Sequence, residues 1–261
     1  MPNFNAAPKN YVLGRGKLYF AEKLPNGTLK GERFLGNVDT FTFSVTAESA
    51  KHYDMTGGVK EQDRDVPVST DRSATFTTDD VSPANMALTL LGSASAVSIG
   101  SASGQTETFN AVEQGLTYQI GMSVANPAGI QKIASVVVKV GSTAKTITTD
   151  YTVDTDTGRV YIVPGGTITD GANITVEYDR LASTQTRVVS GSIVKEGALR
   201  FIADNAEGTD NDYYIPDARL YPSGDFPVIT DTDWQKQQFN VGIQRPADGR
   251  PAVTVNGRAY L

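Results

Sequence analysis

Apolar side chains in this chain recur at every second position. They do so in Phe41, Phe43, Val45, in Ala74, Phe76, in Ala134, Val136, Val138, Val140, in Ile174, Val176, Tyr178, in Phe239, Val241, Ile243 and in Val253, Val255. A strand turns successive side chains to opposite faces, so each run predicts a strand with one face in a core. Between the runs stand Asn26-Gly27, Asp170-Gly171, Asp248-Gly249 and Asn256-Gly257, pairs that accept the positive φ of tight hairpin turns. The pattern therefore predicts a mainly β, antiparallel fold. One segment breaks the period and predicts a single flanking helix over Ala84–Leu91. Ser82 is placed to cap the Asn85 amide, Pro83 suits the first helical position, Met86, Ala87, Leu90 and Leu91 form an apolar face, and Gly92 marks the end.

Three stretches carry no clear period. The twenty-five residues Thr46–Thr70 read as a long loop that a partner orders, because loops longer than about 15 residues in compact domains are usually functional or disordered. Met1–Asn10, polar and proline-bearing, reads as an arm. Ser93–Gly104 has the small-residue composition of a linker. After it, strands expected at Leu116–Met122, Ala134–Val140, Ala144–Tyr151, Arg159–Val163 and Asn173–Tyr178 form a set large enough for a small β-sandwich-like module. The organisation read from this is a discontinuous main domain, 1–109 with 181–261, and an inserted β module at 110–180. The same pattern also fits three consecutive pieces of one sheet system.

Composition removes several functions. A hydrophobic fraction of 39% supports a packed core and excludes disorder as the main state. With 23 Lys and Arg against 29 Asp and Glu, the net charge is -6, unsuited to gripping nucleic acid by neutralising phosphates. The absence of cysteine excludes disulfides, thiolate metal sites and cysteine nucleophiles. No apolar run reaches the roughly 18 residues of a membrane span, so no membrane insertion is expected. Pro2, Asn3, Asn5, Pro8 and Lys9 interrupt any signal-peptide core.

Candidate chemistry is sparse. His52 is the sole histidine, so multi-histidine metal sites are impossible and an exposed or interface role is expected for it. Asp154, Asp156 and Gly158 in DTDTG resemble half a calcium loop without the closing Glu, and read as a solvated turn. Gly14, Gly16 and Lys17 in GRGK fail the spacing of phosphate loops and lead into a strand. Trp234, the sole tryptophan, reads as a core or subunit contact, with a carbohydrate platform as the weaker reading. A glycosidase-type acid pair is invisible to sequence separation and ranks last. No catalytic residue, metal or cofactor is expected.

The acids are unevenly spread. Between Phe201 and Asp233 eight of them face a single base, Arg219. Repeated around a symmetric ring, such an excess builds a field that one subunit lacks.

The phrases GRGKLYFAE (Gly14–Glu22), RFLGNVDTFTFSV (Arg33–Val45), HYDMTGG (His52–Gly58), ATFTTDDVSPANMALTLLG (Ala74–Gly92), the stretch Glu196–Ile229 and DWQKQQFNV (Asp233–Val241) resemble the major tail tube proteins of bacteriophages with long non-contractile tails. The resemblance implies a β-sandwich or barrel with one helix. It further implies subunits that form hexameric rings, stacked into a tube that contains the tape measure protein and later conducts genome DNA. Partners would then be further copies of the chain, the tape measure protein and tail terminator or distal tail proteins. The location would be the virion tail, after synthesis in the host bacterial cytoplasm. On this reading Glu48, His52, Tyr53, Asp54, Gly57, Gly58, Lys60, Asp63 and Arg64 belong to a ring-stacking loop. Asp204, Asp210, Asp212, Asp217 and Asp225 are candidates for an acidic lumen that repels phosphate over about 8 Å at physiological salt. The inserted module is placed on the tube exterior. A carbohydrate-binding or adhesive β module is the alternative function.

Overall fold

In the computed structural model, which describes residues 10–258, the alternating segments are strands paired antiparallel. In chain order they are β1 (Gly16–Glu22), β2 (Arg33–Phe34), β3 (Val38–Asp54), β4 (Glu61–Thr78), the helix α1 (Pro83–Thr89), β5 (Ser93–Ile99), β6 (Ala102–Val112), β7 (Thr117–Gln119), β8 (Ile133–Val140), β9 (Thr143–Ala144), β10 (Tyr151–Asp154), β11 (Arg159–Ile162), β12 (Ala172–Arg180), β13 (Ser183–Val189), β14 (Lys195–Ala203), β15 (Asp210–Ser223), β16 (Gln237–Ile243) and β17 (Thr254–Arg258). The chain divides into two compact units: one runs through Ala94 and resumes at Val188, the other is Ser95–Arg187. β5 pairs with β13 in a two-stranded sheet.

The first unit is one sheet in the order β2-β1-β14-β15-β16-β4-β3, with β17 beside the first half of β15. The pleat sends Leu18 and Phe20 of β1, Leu199 of β14, Ile215 and Leu220 of β15, Phe239 and Val241 of β16 and Phe76 of β4 into one core. Burial of each such side chain contributes about 1.5–3 kcal/mol. Phe41 of β3 lies 5.8 Å from Phe201 of β14, ring centre to ring centre, although three strands separate them in the sheet. The sheet therefore curls until its arms face each other, the wrapped arrangement that twist favours.

The helix forms where the caps predict it. Ser82 Oγ accepts from the Asn85 amide at 3.4 Å and Pro83 opens the helix. Buried Asn85 fastens it to the sheet by donating to the Leu35 and Asp80 carbonyls and accepting from Arg33 Nη1 at 2.7 Å. Gly92 is needed for a different reason than expected. The left-handed residue is Leu91, with φ 51°, and a Cβ on Gly92 would collide with the Val189 carbonyl oxygen.

The second unit holds a four-stranded sheet, β6-β12-β8-β9, and a three-stranded one, β10-β11-β7. Ile174, Val176 and Tyr178 of β12, Val138 of β8 and Val160 and Ile162 of β11 share its core. Buried Asp150 accepts from the amides of Thr146 at 2.8 Å and Thr167 at 2.7 Å, closing the loop before β10.

Several expectations need correction. Thr46–Thr70 is not a loop: β3 and β4 run through it as a hairpin, with paired residues from Val38↔Thr78 to Asp54↔Glu61. Its sequence lacks alternation because neither face is covered, and Pro67, which has no amide to donate, sits where the register shifts opposite Ser49. Ser93–Gly104 is no linker, since β5 occupies most of it. The units break at 94/95 and 187/188 instead of 109/110 and 180/181, because β6 pairs along its length with β12 from Ala172↔Val112 to Arg180↔Ala102. Ala144–Tyr151 is mostly loop, and the strand begins at Tyr151. Asn256-Gly257 is no turn but part of β17, opposite Asn211 and Asp212. The arm expected over Met1–Asn10 lies outside the described residues except for Asn10.

Candidate functional site

Antiparallel pairing satisfies the hairpin's backbone locally, so the β3–β4 ribbon extends past the core without a layer on either face. From Val45 to Arg72 nearly every residue is exposed. Val45, Val66 and Val68 are 65%, 53% and 63% exposed, and Met55 and Val59 at the tip are exposed too. A lone two-stranded ribbon is marginally stable in water, and this one carries apolar side chains that nothing among the described residues covers.

The predicted loop residues are all on this ribbon, six of the nine as strand residues. Glu48, His52, Tyr53 and Asp54 are on β3, Gly57 and Gly58 in the turn, Lys60 just before β4, and Asp63 and Arg64 on β4. The pairing brings His52 Nδ1 to 2.6 Å from Asp63 Oδ1 across the strands. Lys60 Nζ lies 4.3 Å over the Tyr53 ring. Glu48 accepts from Ser69 Oγ at 3.4 Å. Asp54 accepts the Thr56 amide at 2.9 Å and its hydroxyl at 2.7 Å, which hold its carboxyl below the usual range, and Gly58 supplies a φ of 76°.

The five acidic candidates separate into different surroundings. Asp210 and Asp212 lie on β15 opposite β17, where Arg258 Nε donates to Asp212 at 2.8 Å and Arg258 Nη1 lies 3.7 Å from Asp210. Asp212 also accepts the Ala203 amide. Burial works to raise its pKa, but the bonds from Arg258 and Ala203 outweigh it and the carboxyl is held low. Arg258, a base outside the interval in which the excess was counted, thus offsets one of these two negative charges. Asp217 is half-buried on β15. Asp204, just after β14, and Asp225, just after β15, are exposed.

A second surface escaped the sequence reading. Between β15 and β16 the chain crosses Gly224–Lys236, where Val228, Ile229 and Trp234 are 75%, 92% and 83% exposed. Trp234 is therefore not a core residue. Gln235 Nε2 donates to the Val228 carbonyl at 2.7 Å and braces the loop, while Lys236 pairs with Asp39 at 2.6 Å. The signal was Val228-Ile229, an adjacent apolar pair whose neighbours do not alternate.

At the same end of the sheet, over β1, β2 and β14, a cleft of about 420 Å³ has Phe20, Ala84, Ala87 and Leu88 in its wall and Lys30, Arg33, Lys195 and Glu22 at its rim. Lys30 and Lys195 both hold Glu22, at 2.5 and 2.8 Å. Arg33 makes its hydrogen bonds to neutral groups, Asn85 Oδ1 and the Phe34 carbonyl, and burial lowers its pKa.

The other motifs are structural. Gly16 and Lys17 pair with Ala203 and Ile202 inside the sheet. Asp154 accepts the amides of Asp156 and Thr157 and the Thr157 hydroxyl, so its carboxylate shapes its own turn. Among the described residues no cluster of three or more acids and histidines is arranged to hold a metal ion. No helix among them is long and apolar enough to cross a membrane.

The fold and these surfaces define a mainly β protein with a curled eight-stranded sheet, a projecting ribbon and a second β unit. The chain belongs to the family described as Protein of unknown function UCP028589, which matches residues 11–232 and so spans both units. No curated protein matches the chain.

Proposed function

We propose that the protein is a structural subunit of a bacteriophage tail tube, with no catalytic role, located in the virion after synthesis in the bacterial cytoplasm. The observation that carries this reading is β3, a 17-residue strand at the sheet margin whose outer half continues into a ribbon exposed on both faces. An unpaired margin of this length invites further pairing or coverage, and further copies of the chain supply both. Closing such contacts around an axis gives rings, and the ribbon reaches beyond the core to the next ring. Hexameric rings stacked into a tube would enclose the tape measure protein and then pass genome DNA without binding it. The tube would end on tail terminator and distal tail proteins. Exposed Asp204 and Asp225 suit an acidic wall better than Asp210 and Asp212, which share the Arg258 guanidinium.

Negative-stain microscopy and sedimentation of the purified chain over a range of concentration test the reading. Rings or hollow rods are expected. A monomer at every concentration and salt overturns it.

The exposure of Trp234 favours a second reading, a carbohydrate-binding β module using the indole as a platform. Glycan-array binding lost in Trp234→Ala, without assembly, would select it.

A further inference from the structure

The loop and the cleft of the first unit are complementary in two respects. The loop presents Ile229 and Trp234 almost fully exposed among Asp225, Asp231 and Asp233. Its one cation, Lys236, is already taken by Asp39, whereas none of those three acids makes an ion pair among the described residues. The cleft is the inverse: an apolar wall under a rim of three cations and one carboxylate. Glu22 and, beside Arg33, Asp80 offset two of these three charges, and Arg33 makes its hydrogen bonds to neutral acceptors, which leaves the rim one positive charge in excess.

We infer that the cleft beside α1 receives the 224–236 loop of a second copy of this chain, with Trp234 against Ala84, Ala87 and Leu88 and the loop acids facing Lys30, Arg33 and Lys195. Within one copy the two patches lie at the same end of the sheet over different strands, the cleft by β1 and β14 and the loop by β16 and β4. They are different surfaces, so the contact is head-to-tail and repeats from copy to copy, closing into a ring or continuing as a filament. Trp and Arg are among the residues enriched where such contacts concentrate their binding energy. The inference deepens the assembly reading above and rests on it.

Trp234 is the sole tryptophan, so tryptophan fluorescence reports the surroundings of this one side chain. On raising the concentration of the wild type, emission is expected to shift to the blue and acrylamide quenching to fall as sedimenting assemblies appear. Trp234→Ala removes the loop side at an exposed position, and Ala84→Glu places a carboxylate on the cleft wall at a partly exposed one. Each alone is expected to sediment as a monomer. Mixed, they are expected to form dimers and nothing larger, because Trp234 of the second variant meets the intact cleft of the first. Asp231→Lys with Asp233→Lys is a second loop-side variant and should behave as Trp234→Ala does. Wild-type assembly without an emission shift, or normal assembly of either variant, overturns the contact and leaves the tube reading standing. A wild type that stays monomeric with its tryptophan fully quenchable overturns both.

Discussion

Phe43 of β3 stacks on Tyr213 of β15, ring centres 5.2 Å apart and planes inclined by 27°, although β4 and β16 lie between their strands in the sheet. The pair measures how far the sheet has curled. It joins the margin bearing the ribbon to the middle of the sheet, so the ribbon's root is set by core packing.

Truncating this core should be costly in proportion to burial. Phe76→Ala, at a fully buried position stacked on Phe239, is expected to destabilise by about 3–5 kcal/mol. The partly exposed Phe43→Ala should cost less, about 2 kcal/mol. Chemical denaturation followed by circular dichroism gives both values; no loss for Phe43→Ala would contradict the curled packing.

The ribbon is expected to be dispensable for folding and necessary for assembly. Deleting Glu48–Ser69 and joining Ala47 to Thr70, which already pair across the strands, through an Asn-Gly turn preserves the hairpin root. The melting temperature should barely change while rods disappear from micrographs. Rods of normal length would remove the ribbon from the tube contacts.

Gly158→Ala should destabilise the second unit by more than about 1 kcal/mol, since left-handed backbone disfavours a side chain. Gly158 has φ 71°, and a Cβ there would collide with the Ile130 carbonyl oxygen. Gly141, also left-handed at φ 58° but with open space around it, supplies the control: Gly141→Ala should cost less. Thermal melts compare the two.

Acid should loosen the loop before β10. The amides of Thr167 and Thr146 hold the Asp150 carboxyl below its ordinary range. A carboxyl depressed in the folded state contributes stability that is present above its unfolded pKa and is lost as pH falls through the folded one. Wild type should therefore melt above Asp150→Asn near neutrality, and the gap should narrow as pH drops below the ordinary carboxylate range. A gap that does not change with pH would mean that ionisation of Asp150 is irrelevant.

Arg258→Ala should release β17 from β15 without unfolding the sheet. The guanidinium donates to Asp212 and to the Ala203 carbonyl, but it is about half exposed. Solvent screening keeps the contribution of such an exposed pair small. Hydrogen exchange should speed up at the β17 amides and stay unchanged in β16.

Local chemistry was legible in the chain. The alternation of Ala74 and Phe76 and of Phe239 and Val241 required strands with one buried face, because a pleat leaves side chains no other choice. Ser82 and Pro83 required a helix start, because the first amides of a helix need an acceptor. The ribbon was not legible, since alternation marks burial and Thr46–Asp71 buries neither face; its strand character comes from cross-strand pairing. Nor was the pairing of Asp212 with Arg258, which lies 46 residues from it along the chain and meets it only when β17 docks on β15. The exposure of Trp234 was decided at the same level, by where the curled sheet leaves the loop between β15 and β16. Periodicity reports which way each side chain points, and only tertiary packing decides whether anything lies in that direction.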